Sequence, residues 1–245
     1  MTTPTAVTTP PGNAAALFAW TGAAAFVISL AVFLYSYAVT FSVSGIDDPW
    51  RPALIDTALF SVFALHHSVL ARTGAKRRIT SVVPAWLERS LYTWIASALF
   101  LVTCLGWQAV PGVVYSLPGA WRALGYAAQA AGLTLTAMGT TALDGLDLAG
   151  VRQVLDARHA EPPRHVPLKT DGVFGIVRHP LYFGWVLFVF GAPDMTATRF
   201  VFALVSSLYL AIAVPFEERR LREVFGDGYA AYQTHTRWRI VPGIW

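Results

Sequence analysis

Apolar residues run along this chain in six blocks separated by short polar segments: Ala14 to Phe41, Ala53 to Ala71, Leu91 to Val110, Leu124 to Leu143, Leu181 to Ala192 and Phe200 to Phe216. A helix needs about 20 apolar residues to cross the hydrocarbon of a bilayer, and the first four blocks meet that length. The fifth is short and the sixth marginal, so these two read as a helical hairpin or a tilted pair. The pattern predicts an all-α, polytopic membrane bundle of about six membrane-embedded helices. Neither an internal repeat nor a domain linker interrupts it, so 1–245 reads as one membrane domain. Within it, 1–13 is a polar tail rich in Pro and Thr and expected to be disordered, 14–143 is a hydrophobic helical scaffold, and 144–245 carries most of the chemically versatile side chains.

Composition agrees: 55% of the residues are hydrophobic and 13% charged, too little polar surface to cover a soluble globule. The first fifty residues contain no Lys or Arg. The tail therefore lacks the basic start of a secretory signal, and Ala14 to Phe41 is expected to be retained as a helix. Arg72, Lys76, Arg77, Arg78 and Arg89 crowd the second connection, whereas the first holds Asp47, Asp48 and Arg51. Basic loops stay on the cytoplasmic side, which places the second connection there. Alternation then puts the Arg122 connection outside, Arg152 to Arg178 inside, the Arg199 turn outside and the tail from Arg219 inside. Both termini are thus predicted cytoplasmic, in the inner membrane if the source is bacterial. Arginines facing anionic lipid account for the net charge of +4 without a nucleic-acid partner.

The stretch GIVRHPLYFGWVLF, Gly175 to Phe188, interrupts an apolar run with Arg178, His179 and Pro180. One reading is a helix start at the membrane interface, with Pro180 in the first turn and Tyr182 and Trp185 in an aromatic belt. The other is that Arg178 and His179 line a polar pocket, because ionisable groups at membrane depth are costly and face a cavity or a partner. Glu217 and Glu218 end the last apolar block. A solvated i,i+4 pair with Arg222 accounts for Glu218. Glu217 directly follows Pro215 and Phe216 and is expected at the buried end. The last helix is predicted to run on to the break at Gly226-Asp227-Gly228, followed by a short helix with Tyr229 and Tyr232 on one face.

Other chemistries find little support. His66 and His67 are adjacent and point in different directions, His159 and His165 straddle Pro162-Pro163, and no metal is expected. No GxSxG or phosphate loop occurs, and the single cysteine, Cys104, reads as a buried structural thiol.

R-H-P-x-Y-x-G, Arg178 to Gly184, followed by EERRLREVFGDGYAAYQ, Glu217 to Gln233, resembles the membrane methyltransferases of the isoprenylcysteine carboxyl methyltransferase and phospholipid methyltransferase superfamily. The upstream segments ALHHSVLARTGAKRR, VPAWLERSLYTW, GVRQV and GAPDMT are similar to the branch of methanethiol S-methyltransferases and NnrU-like proteins. The resemblance implies an S-adenosyl-L-methionine-dependent enzyme whose C-terminal part, 144–245, binds the cofactor without a Rossmann sheet. By matching position, His179, Tyr182, Glu217 and Glu218 would contact S-adenosyl-L-methionine, Gly184 would allow close approach, and Arg178 suits the donor's carboxylate. Either Arg237 or Arg239 takes the family's terminal arginine position.

The acceptor the resemblance favours is methanethiol or another small thiol, giving a thioether such as dimethyl sulfide. His67, Arg237 and Arg239 are then the candidates for a catalytic cation beside the thiolate. A lipid, isoprenoid or isoprenylcysteine-like acceptor is the alternative within methyl transfer. A nicotinamide-dependent membrane reductase and a non-catalytic NnrU-like membrane protein are the alternatives outside it.

Overall fold

The computed structural model describes residues 10–46, 48–70, 73–161 and 167–245. The expectations placed on residues 1–9 of the tail, Asp47, Arg72, Pro162, Pro163 and His165 lie outside them. In chain order the described residues form α1 (Asn13–Ala38), α2 (Trp50–Leu70), α3 (Thr73–Thr80), α4 (Ala85–Gly106), β1 (Val113–Ser116), α5 (Trp121–Ala142), α6 (Gly145–Leu148), α7 (Val151–Arg158), α8 (Pro180–Phe190), β2 (Asp194–Thr196), α9 (Ala197–Phe225) and α10 (Asp227–His235).

Among the described residues, four helices are long and apolar enough to cross a membrane: α1 with its continuation to Ser42, α2, α4 and α9. The two remaining blocks pair with each other. α8 has 11 residues, a length of about 16 Å against a hydrocarbon core of about 30 Å. α5 presents Gly125, Gly132 and Gly139, all buried, along one stripe. A Cβ added to Gly132 would stand 2.5 Å from the carbonyl oxygen of Gly184, and one added to Gly184 would stand 2.6 Å from that of Gly132. Small residues let two backbones touch where lipid supplies no hydrophobic drive for helix association.

Aromatic side chains fill the centre. Phe33 of α1 stacks on Trp185 of α8 at 4.9 Å and on Phe202 of α9 at 5.3 Å, and meets Phe100 of α4 at 5.6 Å. Cys104 is buried in the same cluster.

The helices alternate in direction, which sorts their connections to two ends. At one end the all-α expectation needs correction: β1 and β2 pair antiparallel, with Val113 opposite Thr196 and Ser116 opposite Asp194. The run Val113-Val114-Tyr115 is β-branched and aromatic, and pairing satisfies backbone groups that no helix satisfies there. Arg199, 9% exposed, locks this end. Its guanidinium donates to the carbonyls of Tyr37 at 3.0 Å, Ala38 at 2.9 Å and Asp194 at 2.6 Å. Two of these acceptors belong to the last turn of α1, where carbonyls lack helical partners.

The opposite end gathers the start of α1, α3, α6, α7 and the C-terminal segment. Arg158 donates to Asn13 at 2.7 Å, Ser90 to the Gly150 carbonyl at 2.6 Å, and Lys76 lies 3.5 Å from Glu88. Gly150 has φ 80°, and a Cβ there would stand 2.5 Å from the Ser90 amide nitrogen. This glycine lets the GVRQV turn close onto α4.

Candidate active site

Pro180 opens α8 at its first turn, with His179 as the non-helical residue before it. A proline there loses no helical hydrogen bond, and its fixed φ aims the preceding residues away from the helix axis. The amides of Arg178 and His179 instead bond the carbonyls of Trp238 at 2.9 Å and Arg239 at 2.8 Å. The C-terminal strap is thereby drawn across the start of α8.

Arg178 is buried, and its Nε donates to Glu218 Oε1 at 2.7 Å. Its Nη1 donates to the carbonyls of Thr236 at 2.7 Å and Arg237 at 2.8 Å. The other carboxylate oxygen, Glu218 Oε2, accepts from Gln233 at 3.2 Å and lies 3.3 Å from Arg239 Nε. Glu218 is 3% exposed. A buried carboxylate is tolerated only when paired and hydrogen-bonded, as here.

The roles expected of the two glutamates are therefore exchanged. Arg222, the i,i+4 partner foreseen for Glu218, turns to Gln233 at 2.8 Å instead. Glu217 keeps 43% of its side chain exposed and accepts from the Tyr182 hydroxyl at 2.7 Å. Pro215 lies inside the helix that carries both residues. Neighbouring helical positions point about 100° apart, so proximity to the apolar block did not decide which one faces the cluster.

His179 stacks on Tyr182, ring centres 5.3 Å apart and nearly parallel at 6°. Its Nδ1 lies 3.6 Å from Glu217 Oε2 and its Nε2 3.5 Å from Glu218 Oε1. Among the described residues, neither the enclosed Nε2 at this distance nor the Tyr229 hydroxyl meets a partner in hydrogen-bond geometry. Burial raises the Tyr229 phenol and pushes that of Tyr232 up to about 12, with Arg178 pulling both the other way. Both phenols stay neutral at physiological pH, and Tyr232 donates to the Phe174 carbonyl at 2.6 Å. Tyr229 and Tyr232 share the buried face of α10, as the spacing predicts.

A cleft of about 340 Å³ opens beside this cluster, lined by Arg178, Arg237, Trp238, Arg239, Ile244 and Trp245. Arg239 lies over the Trp245 ring at 5.2 Å, while Arg237 is exposed on the rim. Arg178, His179, Tyr182, Glu217, Glu218, Arg237 and Arg239 are thus brought together. Gly184 is not: its bare face meets Gly132 and Thr136 of α5, so its size serves helix packing instead of ligand approach. His67 sits apart, in a second polar cluster where the Tyr92 hydroxyl and His67 Nδ1 are 2.6 Å apart. Gln233, Trp238 and Trp245 were not singled out from the sequence. Gln233 closes the AAYQ motif one residue after Tyr232, a position that offered a signal; the tryptophans offered none. Among the described residues, no group of three or more His, Cys, Asp or Glu could hold a metal ion.

A bundle of apolar helices with an enclosed Arg-His-Glu network at one end defines a membrane enzyme of the methyltransferase class, as the relatives make specific. The chain is 35% identical over 195 residues to the methanethiol S-methyltransferase of Pseudomonas deceptionensis, covering 78% of this chain and 73% of that protein. It is 32% identical over 227 residues to the methanethiol S-methyltransferase of Mycobacterium tuberculosis, covering 86% of this chain and 91% of the relative. A shorter match, 35% over 71 residues, reaches the protein-S-isoprenylcysteine O-methyltransferase B of Arabidopsis thaliana, with 28% of this chain and 36% of that one covered. No family model and no solved structure matches the chain. The chain belongs to the methanethiol S-methyltransferase family, within the isoprenylcysteine methyltransferase-like superfamily, and is a membrane methyltransferase.

Proposed function

We propose that this protein transfers a methyl group from S-adenosyl-L-methionine to methanethiol or another small thiol, releasing a thioether such as dimethyl sulfide. The observation that carries the reading is the cluster of Arg178, His179 and Glu218 beside a cleft rich in arginine and tryptophan. The residues suit the donor. The rim arginines Arg237 and Arg239 match a carboxylate, Glu217 matches an ammonium or ribose hydroxyls, and Trp238, Trp245 and Tyr182 offer faces to an adenine ring or a sulfonium cation. The Tyr229 hydroxyl, enclosed and without a hydrogen-bond partner among the described residues, is hydrogen-bonding capacity left for a ligand.

When bound, the donor supplies an electrophilic methyl on a positively charged sulfur. The chain's part is to hold and orient. The Arg178–Glu218 pair fixes the strap over α8, Tyr182 with Glu217 shapes the inner wall, and the apolar bundle excludes water. Alignment of the reacting atoms supplies several kcal/mol of barrier reduction in displacement reactions. The site lies at the end where the basic connections gather, the cytoplasmic end by the distribution of Lys and Arg. A charged donor then enters from the cytoplasm, while a small apolar thiol arrives through the bilayer.

The test is binding of labelled S-adenosyl-L-methionine and of NADPH to the full chain in detergent, followed by headspace detection of dimethyl sulfide on adding methanethiol. Donor binding with thioether release is expected. NADPH binding without donor binding overturns the reading, and methylation of a prenylated thiol but not methanethiol overturns the acceptor.

A further inference from the structure

A second polar cluster lies deeper in the bundle than the donor site, built by α2, α4 and α9. His67 and the Tyr92 hydroxyl meet at 2.6 Å through His67 Nδ1. Ser68 donates to the Tyr209 hydroxyl at 3.1 Å, and the Tyr209 ring meets His67 edge-on at 6.3 Å. Phe63 and Phe60 pack against this pair at 5.7 Å and 6.1 Å, which makes the surroundings aromatic. His66 stacks on Tyr92 at 5.6 Å, and both of its ring nitrogens are enclosed without a hydrogen-bond partner among the described residues. Polar groups at membrane depth are costly and mark function, and this cluster holds spare hydrogen-bonding capacity.

The cluster adjoins the donor site along α9, which carries Tyr209 about two turns before Glu217. Tyr182 itself bonds Glu217 at 2.7 Å. An acceptor seated against His67 would thus face the inner wall of the donor pocket.

We propose that the aromatic cluster around His67 binds the small thiol acceptor, and that His67, oriented by Tyr92, is the base that takes the thiol proton. This rests on the methyl-transfer reading. The base role takes the tautomer in which Nδ1 carries the proton toward the Tyr92 oxygen, 2.6 Å away, and Nε2 presents its lone pair. As the acceptor's S–H bond breaks, its proton passes to His67 Nε2. The sulfur electron pair forms a new C–S bond to the methyl of the sulfonium donor while the donor's own C–S bond breaks, leaving its electron pair on a neutral thioether. One sulfonium charge disappears and one imidazolium charge appears, so the site's charge is unchanged.

The groups facing His67 are His66 on its own helix, Arg89 and Tyr92 on α4, and Tyr209 on α9, with Glu88 also acting on Tyr92. The Arg89 guanidinium sits over the Tyr92 ring at 5.1 Å and places a fixed cation beside the cluster, a charge that favours a developing thiolate. Tyr92 is a positioning residue in this scheme, acting through His67.

Two measurements test the proposal on the full chain in detergent. In ¹⁵N spectra of histidine-labelled protein, compared with His67→Asn to assign the signal, His67 is expected with Nδ1 protonated and Nε2 bare, a readout that needs no donor. The reverse tautomer overturns the proposal. In turnover, His67→Asn is expected to lower kcat for methanethiol about a hundredfold, within the range of general-base contributions, while donor affinity stays within about twofold. A thiol already ionised at neutral pH, such as trifluoroethanethiol, is expected to lose about tenfold less than methanethiol does. Equal losses for both thiols overturn the proposal. If His67→Asn fails to fold, Tyr92→Phe carries the test, with a fall in kcat for methanethiol and rescue by the acidic thiol. Wild-type protein that binds no donor sinks the methyl-transfer reading itself, a result separate from any effect at His67.

Discussion

The Arg178 guanidinium and the Glu218 carboxylate meet at 2.7 Å with both side chains buried, and through this pair the start of α8, the end of α9 and the C-terminal strap are held as one unit. Arg178 also donates through Nη1 to the carbonyls of Thr236 and Arg237, so it is both ion-pair partner and brace. Removing one member of such a pair leaves an uncompensated buried charge, a cost of about 3–5 kcal/mol. Glu218→Gln is therefore expected to lower the thermal midpoint in detergent markedly and to abolish donor binding. An unchanged midpoint by tryptophan fluorescence counts against the pair as a brace.

Glu217 has the opposite profile. Half-exposed and bonded to the Tyr182 hydroxyl of α8, it is no buried charge and can shed its bond to water. Glu217→Gln is expected to weaken S-adenosyl-L-methionine binding by about tenfold, the worth of one charge-assisted hydrogen bond, with the melting curve unmoved. Calorimetric titration beside a thermal melt separates the two effects.

At Gly184 the expectation concerns packing. A methyl group there meets the Gly132 carbonyl and the Thr136 hydroxyl at 2.6 Å. Overpacking of this kind costs about 1–3 kcal/mol. Gly184→Ala should lower the unfolding midpoint while the donor dissociation constant of the folded fraction stays within about twofold. A selective loss of donor affinity at unchanged stability would return this glycine to the ligand site.

Arg199 closes the far end, and Arg199→Leu removes the donors to the Tyr37, Ala38 and Asp194 carbonyls together. Each buried carbonyl left without a partner costs about 1–3 kcal/mol. A large loss of stability with normal donor binding in the surviving folded protein is expected, measured by thermal melts and labelled-donor binding.

The Arg122–Asp194 bridge, 2.6 Å long, lies outside the membrane-spanning segments. Hydrogen bonds from Arg122 and then Ser116 hold the Asp194 carboxyl well below its ordinary range. A depressed carboxylate contributes stability above its unfolded pKa, about 3.9, and loses it as pH falls through the folded value. The stability difference between wild type and Asp194→Asn should therefore be constant from pH 7 to 5 and shrink below about pH 4. High salt should reduce it as well, because the pair is exposed.

Some of the site was legible in the residues. Arg178, His179, Pro180 and Tyr182 lie within five positions, and the cost of placing charge beside a helix start in an apolar run made them conspicuous. The tyrosines of α10 followed from their spacing. Other features had no local signature. Glu217 and Glu218 are adjacent, and nothing in the order of letters says which one a partner 40 residues away will claim. His67 and Tyr92 are 25 residues apart, and Ser68 and Tyr209 are 141 apart, so each residue reads alone as an interface or core side chain.

What the residues decided by themselves is the solvent and the period: apolar blocks of helical length require a bilayer, and their breaks set where helices start and stop. The tertiary structure alone decided which polar groups meet. That choice depends on helix rotation and on how closely backbones approach, as at Gly132 and Gly184. It also depends on the path of the C-terminal strap, which carries Arg239 back to Glu218. Apolar residues partition between lipid and water one by one, whereas an ion pair or a proton-accepting histidine needs two distant segments placed within about 3 Å of each other.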